Sequence, residues 1–361
     1  MTQLRTRLPD LELRWLGGRR GLEGDIVPEA GLPLERLWLR SLRTVDASLN
    51  TILDPLRLVA SVPQATWKLL RWRPDVVYTT GGYVAIPVLA AAALLRIPAL
   101  LWEGNQVPGR SVRLSARLAT ARAVSYRATV ARLPVPTLHT GTPIRRLAAG
   151  DKTAARARLG LEPDVPVLLV FGGSQAVRRL DEAVDEALGD IVERCTVVHI
   201  TGRDQGAEAV ALARRDALDE GVQDRYRPFA FLDEDMDAAL TAADLLVGRA
   251  GSSTLAEAAA AGLPMIVVPY PHAAAHQRAN AAEMVEAGAA LLVDDEDLDG
   301  NTLREACALF GAERLREMSA AAERVARPGA AAATVTLLER LAGGEALPTQ
   351  GELDELSGAA A

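Results

Sequence analysis

Small and hydroxyl residues open the block GRAGSSTLAEAAAAGLPMIVVPYPHAAAHQRAN at 248–280, and one glutamate follows them at helical spacing. Gly251, Ser252, Ser253 and Thr254 begin a helix, so their backbone N–H groups lack partners inside it and suit an anion such as phosphate. Leu255 and Ala256 lead on to Glu257, one turn in. Its flanks, Leu255, Ala256 and Ala258–Ala261, describe a buried helix, where an unpaired carboxylate is costly. A carboxylate there calls for a diol, a donor or a cation. GLP ends the helix, and the apolar run Met265–Tyr270 delivers a loop with His272, His276, Gln277 and Asn280. The carboxyl edge of an open parallel sheet is where such folds bind ligands. Amides in that loop can hydrogen-bond sugar hydroxyls in both directions. A phosphate seat beside an acid suited to a ribose diol suggests a nucleotide, and the next loop suggests a sugar.

Other turns repeat the pattern. Phe171–Gln175 (FGGSQ) lies between an apolar strand and a helix, presenting N–H groups and the Ser174 hydroxyl to phosphate. Gly81-Gly82 and Glu103-Gly104-Asn105 each follow an apolar strand in the first half of the chain. Arg145, after Gly141-Thr142-Pro143, is a cation between the halves that could offset phosphate charge. Blander readings stand beside these. The glycine pairs could serve turn geometry alone, and His276, Gln277 and Asn280 could face water on a first helical turn. Trp67–Arg73 (WKLLRWR) is either an interfacial amphipathic surface or a core-facing stripe with solvated arginines. His139 and His199 read as structural.

Composition narrows the classes. The chain has 361 residues, 49% of them hydrophobic, enough for two α/β domains. A net charge of −7 argues against broad nucleic-acid binding. Cys195 and Cys307 form no metal-binding motif, and with four scattered histidines neither a metal nor a resident cofactor is expected. The N-terminus is charged and carries no signal-like apolar stretch, and the longest apolar run, 84–95, is too short to span a bilayer.

Short apolar runs alternate with helical segments, predicting parallel sheets with right-handed crossovers. Strands are expected at Leu11–Leu16, Leu34–Leu39, Val76–Thr80 and Ala99–Trp102. A second series is expected at Val165–Phe171, Thr196–Thr201, Tyr226–Phe231, Asp244–Val247, Met265–Tyr270 and Ala290–Val293. The polar, punctuated GTPIRRLAAGDK between them sets a domain boundary near Ala149, giving domains 1–149 and 150–342. Residues 299–342 read as helical, with 330–341 able to pack back across a cleft, and 343–361 as a flexible tail. A nucleotide-type domain should begin with a strand and glycine turn, yet MTQLRTRLPD reads as the end of a helix. The N-terminal domain is therefore expected to be incomplete, its first sheet short of a central strand.

These blocks resemble the MurG family of bacterial UDP-N-acetylglucosamine transferases. The resemblance rests on RWLGGRRGLEGDIVPEAGLPL (14–34), RPDVVYTTGGYVAIP (73–87), WEGN (102–105), GTPIR (141–145), FGGSQ (171–175), RAGSSTLAEAAAAGLP (249–264) and HQRANA (276–281). It implies two Rossmann-like domains facing a cleft, the GT-B fold. It also implies transfer of GlcNAc from UDP-GlcNAc to undecaprenyl-diphospho-MurNAc-pentapeptide, converting lipid I to lipid II with inversion. Ser174, Ser252–Glu257 and Gln277 would then hold the donor, with Glu257 on the ribose, Gln277 on the GlcNAc hydroxyls and the uracil near Leu232. Asn105 and Arg145 match further family positions. The implied setting is the cytoplasmic face of the cell membrane, against its anionic surface and with other cell-wall synthesis proteins as partners.

The chain also departs from the family. HEQN is WEGN here, GGSQG is GGSQA, and the first glycine loop, with the histidine often proposed as general base, has no counterpart. Glu103 is the carboxylate left for that role. The alternatives are a UDP-GlcNAc 2-epimerase, another GT-B transferase, or an inactive UDP-sugar-binding scaffold.

Overall fold

The computed structural model describes residues 2–18, 23–39, 49–145, 151–172, 178–202, 206–232, 234–271 and 274–358. They form two compact units, Met1–Gly141 with Gly329–Ser357, and Thr142–Pro328 with Gly358–Ala361. The boundary expected near Ala149 thus lies between Gly141 and Thr142, and the last helices return to the first unit.

In the second unit β7 (Val167–Phe171), β8 (Thr196–Ile200), β9 (Tyr226–Phe229), β10 (Leu245–Gly248), β11 (Met265–Val267) and β12 (Ala290–Leu292) form one sheet. Its order is β12-β11-β10-β7-β8-β9, with every pairing parallel. β7, β8 and β10 are buried along their whole length, as strands covered by helices on both faces must be. One core includes Leu169, Leu246 and Met265 under the Ser252–Ala260 helix. The other includes Leu168, Val197 and Leu245 under the Arg178–Ile191 and Gly300–Ala308 helices. All six strands expected from the second series are present, five of them trimmed and the fourth in sequence shifted by one residue to Leu245–Gly248.

The first unit is built differently. β1 (Trp15–Gly17) pairs only with β2 (Leu34–Arg36), while β3 (Val77–Thr79), β4 (Ala99–Glu103), β5 (Ala121–Val124) and β6 (Thr137–His139) form a separate four-stranded parallel sheet. Among the described residues no strand joins the two sheets, although Leu37, Leu39, Val77 and Leu101 share one core. Only Trp15 and Leu16 of the expected 11–16 strand are extended, and β5 and β6 escaped the sequence reading. β5 is ARAV and β6 is TLH, too short to show a period.

Residues 299–342 are helical in three pieces, Gly300–Ala308, Glu313–Val325 and Ala330–Ala342. The last packs Ala333, Leu337 and Leu341 on Leu100, Ala121 and Ala123 of the four-stranded sheet. The segment expected as a flexible tail instead carries a helix, Gln350–Ser357, with Leu353 fully buried in the same cluster. Gln350 explains its docking: its side-chain amide accepts from the His139 N–H at 2.9 Å and donates to the His139 carbonyl at 2.8 Å. A side chain thereby satisfies the outer edge of β6, beyond which no strand lies among the described residues.

Candidate functional site

In the second unit the chain runs from β7 outward to β9, then crosses back to β10 on the other side. The switch point between β7 and β10 is where this topology opens a crevice for ligands. Gly248 fits that place: a Cβ there would meet the Phe171 carbonyl oxygen at 2.6 Å, so only glycine lets the two strand ends approach. The loop after β7 holds Ser174, which lies outside the described residues, as does His272.

After β10 comes the helix Ser252–Ala260, with Gly251 as an extended N-cap that offers no side-chain cap. Its first-turn N–H groups are therefore not taken by a capping side chain. Ser252 and Thr254 are half-buried, Ser253 is exposed, and Leu255 points into the core. Glu257 sits with its side chain only 13% exposed, and Arg145 donates from Nε to its Oε1 at 3.2 Å. Burial pushes the Glu257 carboxyl above the usual carboxylate range, and the Arg145 charge pulls it partly back. The acid that the sequence required to find a partner has found the cation assigned separately to phosphate.

Beyond β11, Gln277 accepts the Tyr270 N–H at 2.8 Å through Oε1, pinning the loop and leaving its Nε2 hydrogens to donate. His276 is exposed, whereas Asn280 is 1% exposed and lies inside the unit. Its amide is thus packed within the unit, a placement that differs from the open loop expected from sequence. Leu232, after β9, is buried in the core beside Met236, so any ligand contact at this position is through main chain.

Three residues not singled out from sequence tie these loops together. Arg249, 5% exposed, forms an ion pair with Asp295, donates to the Val268 carbonyl at 3.3 Å and lies 5.5 Å from the Tyr270 ring centroid. Arg179, from the helix after the β7 loop, donates to the carbonyls of Asp295 at 2.9 Å and Glu296 at 2.8 Å. The signal was available: an arginine closing a buried strand needs an acid, and Asp294–Asp297 is an acidic run just past a strand end.

In the first unit, the loops after the paired strands β3 and β4 are neighbours. Gly81 and Gly82 have φ of +85° and +77°, and a Cβ on Gly81 would strike Val112 at 2.7 Å. Glu103 is 4% exposed. Its Oε1 accepts from Asn105 N at 2.8 Å and Nδ2 at 3.0 Å, and Oε2 accepts from Gly109 N at 3.0 Å. Both oxygens are thus engaged by their own loop, a geometry that braces the loop. His199 and His139 are buried, His199 between the Tyr226 hydroxyl at 2.9 Å and Asp181 at 3.0 Å, His139 with Nε2 3.0 Å from the Ser125 carbonyl.

Comparison with known proteins agrees with this architecture. Residues 1–124 match the glycosyltransferase family 28 N-terminal domain, and residues 167–334 its C-terminal domain. A UDP-N-acetylglucosamine–N-acetylmuramyl-(pentapeptide) pyrophosphoryl-undecaprenol N-acetylglucosamine transferase of Moorella thermoacetica is 36% identical, covering 93% of this chain and 92% of its own length. The protein of the same name from a Nocardioides species is 40% identical over 92% of this chain and 87% of its own. The crystal structure of Acinetobacter baumannii MurG superposes with a TM-score of 0.71 at 27% identity, covering 94% and 93% of the two chains. A UDP-GlcNAc 2-epimerase from Neisseria meningitidis, at 12% identity and a TM-score of 0.58 over 91% of this chain and all of that one, shares the fold alone. The chain belongs to glycosyltransferase family 28 and, within it, to the MurG family.

Proposed function

We propose that this protein transfers GlcNAc from UDP-GlcNAc to the muramoyl 4-hydroxyl of undecaprenyl-diphospho-MurNAc-pentapeptide, the step from lipid I to lipid II in peptidoglycan synthesis. The observation that carries the site is the Glu257 carboxylate, held mostly buried one turn inside a helix whose N-terminus has no side-chain cap. In this reading Glu257 accepts the ribose hydroxyls, and Arg145, already within hydrogen-bonding distance, turns to the diphosphate. The first-turn N–H groups from Ser252 to Thr254 supply fixed dipoles for the charge that grows on the departing UDP, with Ser174 assigned to the same ligand from sequence. Gln277 donates to the GlcNAc hydroxyls through the amide hydrogens its loop contact leaves over, and main chain near Leu232 receives the uracil.

On the acceptor side, Asn105 stands on a loop whose shape Glu103 fixes, next to the Gly81-Gly82 turn. The reaction displaces UDP from the anomeric carbon, inverts it, and releases one proton from the 4-hydroxyl. With Glu103 committed to its loop, that proton's acceptor is assigned to no side chain described here.

The lipid-linked acceptor calls for a membrane-facing surface, and the helix Leu49–Trp72 offers one. Leu56, Val59, Trp67 and Leu70 follow helical spacing and are 65%, 69%, 60% and 54% exposed. Arg71 lies 5.9 Å from the Trp67 ring. The opposite face packs inward through Leu69, Trp72 and Lys68, the last paired with Glu35. Apolar side chains rimmed by arginine suit an anionic bilayer surface, here the cytoplasmic leaflet. No helix among the described residues is long and apolar enough to cross a membrane.

Calorimetry with UDP-GlcNAc, followed by radiolabel transfer onto a lipid I analogue, tests the assignment. Donor binding with label in the lipid product supports it. Binding without transfer points to an inactive sugar-nucleotide module, and conversion of UDP-GlcNAc to its C2 epimer without acceptor points to an epimerase.

A further inference from the structure

We infer that Asp295 is a positioning residue for the donor site, clamping the turns that flank the switch point; this rests on the proposed function. Asp295 follows β12, the edge strand, and takes no place in the reading above. Its carboxylate reaches past β11 to Arg249, which stands between β10 and the Ser252–Ala260 helix. Its main-chain carbonyl, with that of Glu296, takes the Arg179 guanidinium from the first turn of the helix after the β7 loop. Arg249 in turn holds the Val268 carbonyl and the face of Tyr270, whose N–H is bound by Gln277. Segments after β7, β10, β11 and β12 therefore meet at one carboxylate and its peptide group.

Burial gives the clamp its force. The Arg249 and Asp295 side chains are 6% and 17% exposed, so neither is well solvated without the other. Losing one partner strands a buried charge, and the cheapest relief is movement of the Arg249 turn. That turn sets the direction of the helix N–H groups and the position of Glu257. A carboxylate outside the site thus fixes how four ligand-facing segments sit, and a 1 Å error in such positioning costs up to about 100-fold in kcat/KM.

The test is steady-state kinetics of the full-length Asp295→Asn variant with UDP-GlcNAc and a lipid I analogue, beside calorimetric binding of UDP-GlcNAc. The donor KM should rise about tenfold while the acceptor KM stays within about twofold, and Asp295→Glu should recover most of the loss. A purely structural role lowers Tm and apparent kcat but leaves the donor KM of the folded fraction alone; that result overturns the inference. Should Asp295→Asn not fold, Arg179→Gln removes the Arg179 half of the clamp, its main-chain bonds and its 3.9 Å approach to the Asp295 carboxylate, from a more exposed position and is held to the same donor KM criterion. Wild-type protein that binds no UDP-GlcNAc overturns the functional reading and the clamp together. Wild type that binds, with Asp295→Asn binding equally well, overturns the clamp alone.

Discussion

Both units layer helices on parallel strands, but their sheets and their charged loop residues are arranged differently. In the second unit, ionic side chains from loops and helices close on one another: Arg145 on Glu257, Arg249 on Asp295, Arg278 on Asp294. A single six-stranded sheet backs them. In the first unit the sheet is in two pieces, Glu103 turns inward to its own loop, and arginines on the long helix border exposed tryptophan and leucine. A rigid floor under paired charges suits a small, highly charged donor. A divided sheet behind an apolar, arginine-rimmed face suits an acceptor that arrives on a lipid.

Stability is where this contrast is sharpest. The first unit depends on residues from the far end of the sequence, with Leu353 fully buried against the four-stranded sheet. Leu353→Ala should cost about 2–5 kcal/mol, the range for emptying a leucine site in a core. Scanning calorimetry should then show the first unit's transition moving down while the second unit's stays in place. A uniform shift of both would mean that the units melt as one and that the contrast does not extend to stability.

The next effect bears on the donor side. Glu257→Ala should weaken UDP-GlcNAc binding by about 1.5–3 kcal/mol, the range for a hydrogen bond to a charged group, read by calorimetry. Unchanged affinity would remove Glu257 from the site. Glu257→Gln separates function from stability. Because burial raises the native carboxyl, the folded chain holds that proton more tightly than the unfolded one. The resulting stability is present below the ordinary carboxylate range and is lost as pH rises through the raised native value. The glutamine variant should therefore gain Tm over wild type at neutral pH, with the gap closing in acid, while it binds donor less well. Donor affinity of the wild type should fall as pH drops through the same native value.

On the acceptor side, Trp67→Ala with Leu70→Ala should cost about 2 kcal/mol of surface attachment, roughly thirtyfold in partitioning to anionic vesicles. Flotation at two salt concentrations reads it, since the arginine contribution is screened and the apolar one is not. Full flotation by the double variant would show that this face is not the one that meets the bilayer.

How legible each unit was from sequence follows the same divide. In the second unit, strands such as VLLVF and TVVHI are long, apolar and bounded by glycine or charge, so their existence and order could be read directly. Glu257 was legible because its neighbours are all small or apolar, which left a buried acid in need of a partner. Asp295 and Arg249 each left a local signal, but their pairing spans strands of the sheet and shows only in the fold. In the first unit ARAV and TLH carry too few residues to show a period, and their strand character comes from the neighbours they pair with. The C-terminal helix was missed for a related reason: QGELDELS reads as polar, and one leucine and one glutamine dock it. The burial of Asn280 could not be read because which face of the Ala274–Glu286 helix packs inward depends on its neighbours.

Glu103 carries the smallest expected effect and the plainest choice between roles. A general base must present a free oxygen to the acceptor hydroxyl, within about 2.6–3.2 Å in a plausible pose. Glu103 is largely taken up by its own loop: two donors occupy Oε1 and one occupies Oε2, and the side chain is 4% exposed. Glu103→Gln keeps the shape and one acceptor oxygen, and forfeits the charge and the Gly109 contact. As a brace it should lose about 1 kcal/mol of stability and less than about tenfold in kcat. As a base it should lose about 100-fold or more in kcat, along with the acidic limb of the pH–rate profile. The kcat of this one folded variant, measured across pH, decides between a loop that holds its shape by charge and one that takes part in the chemistry.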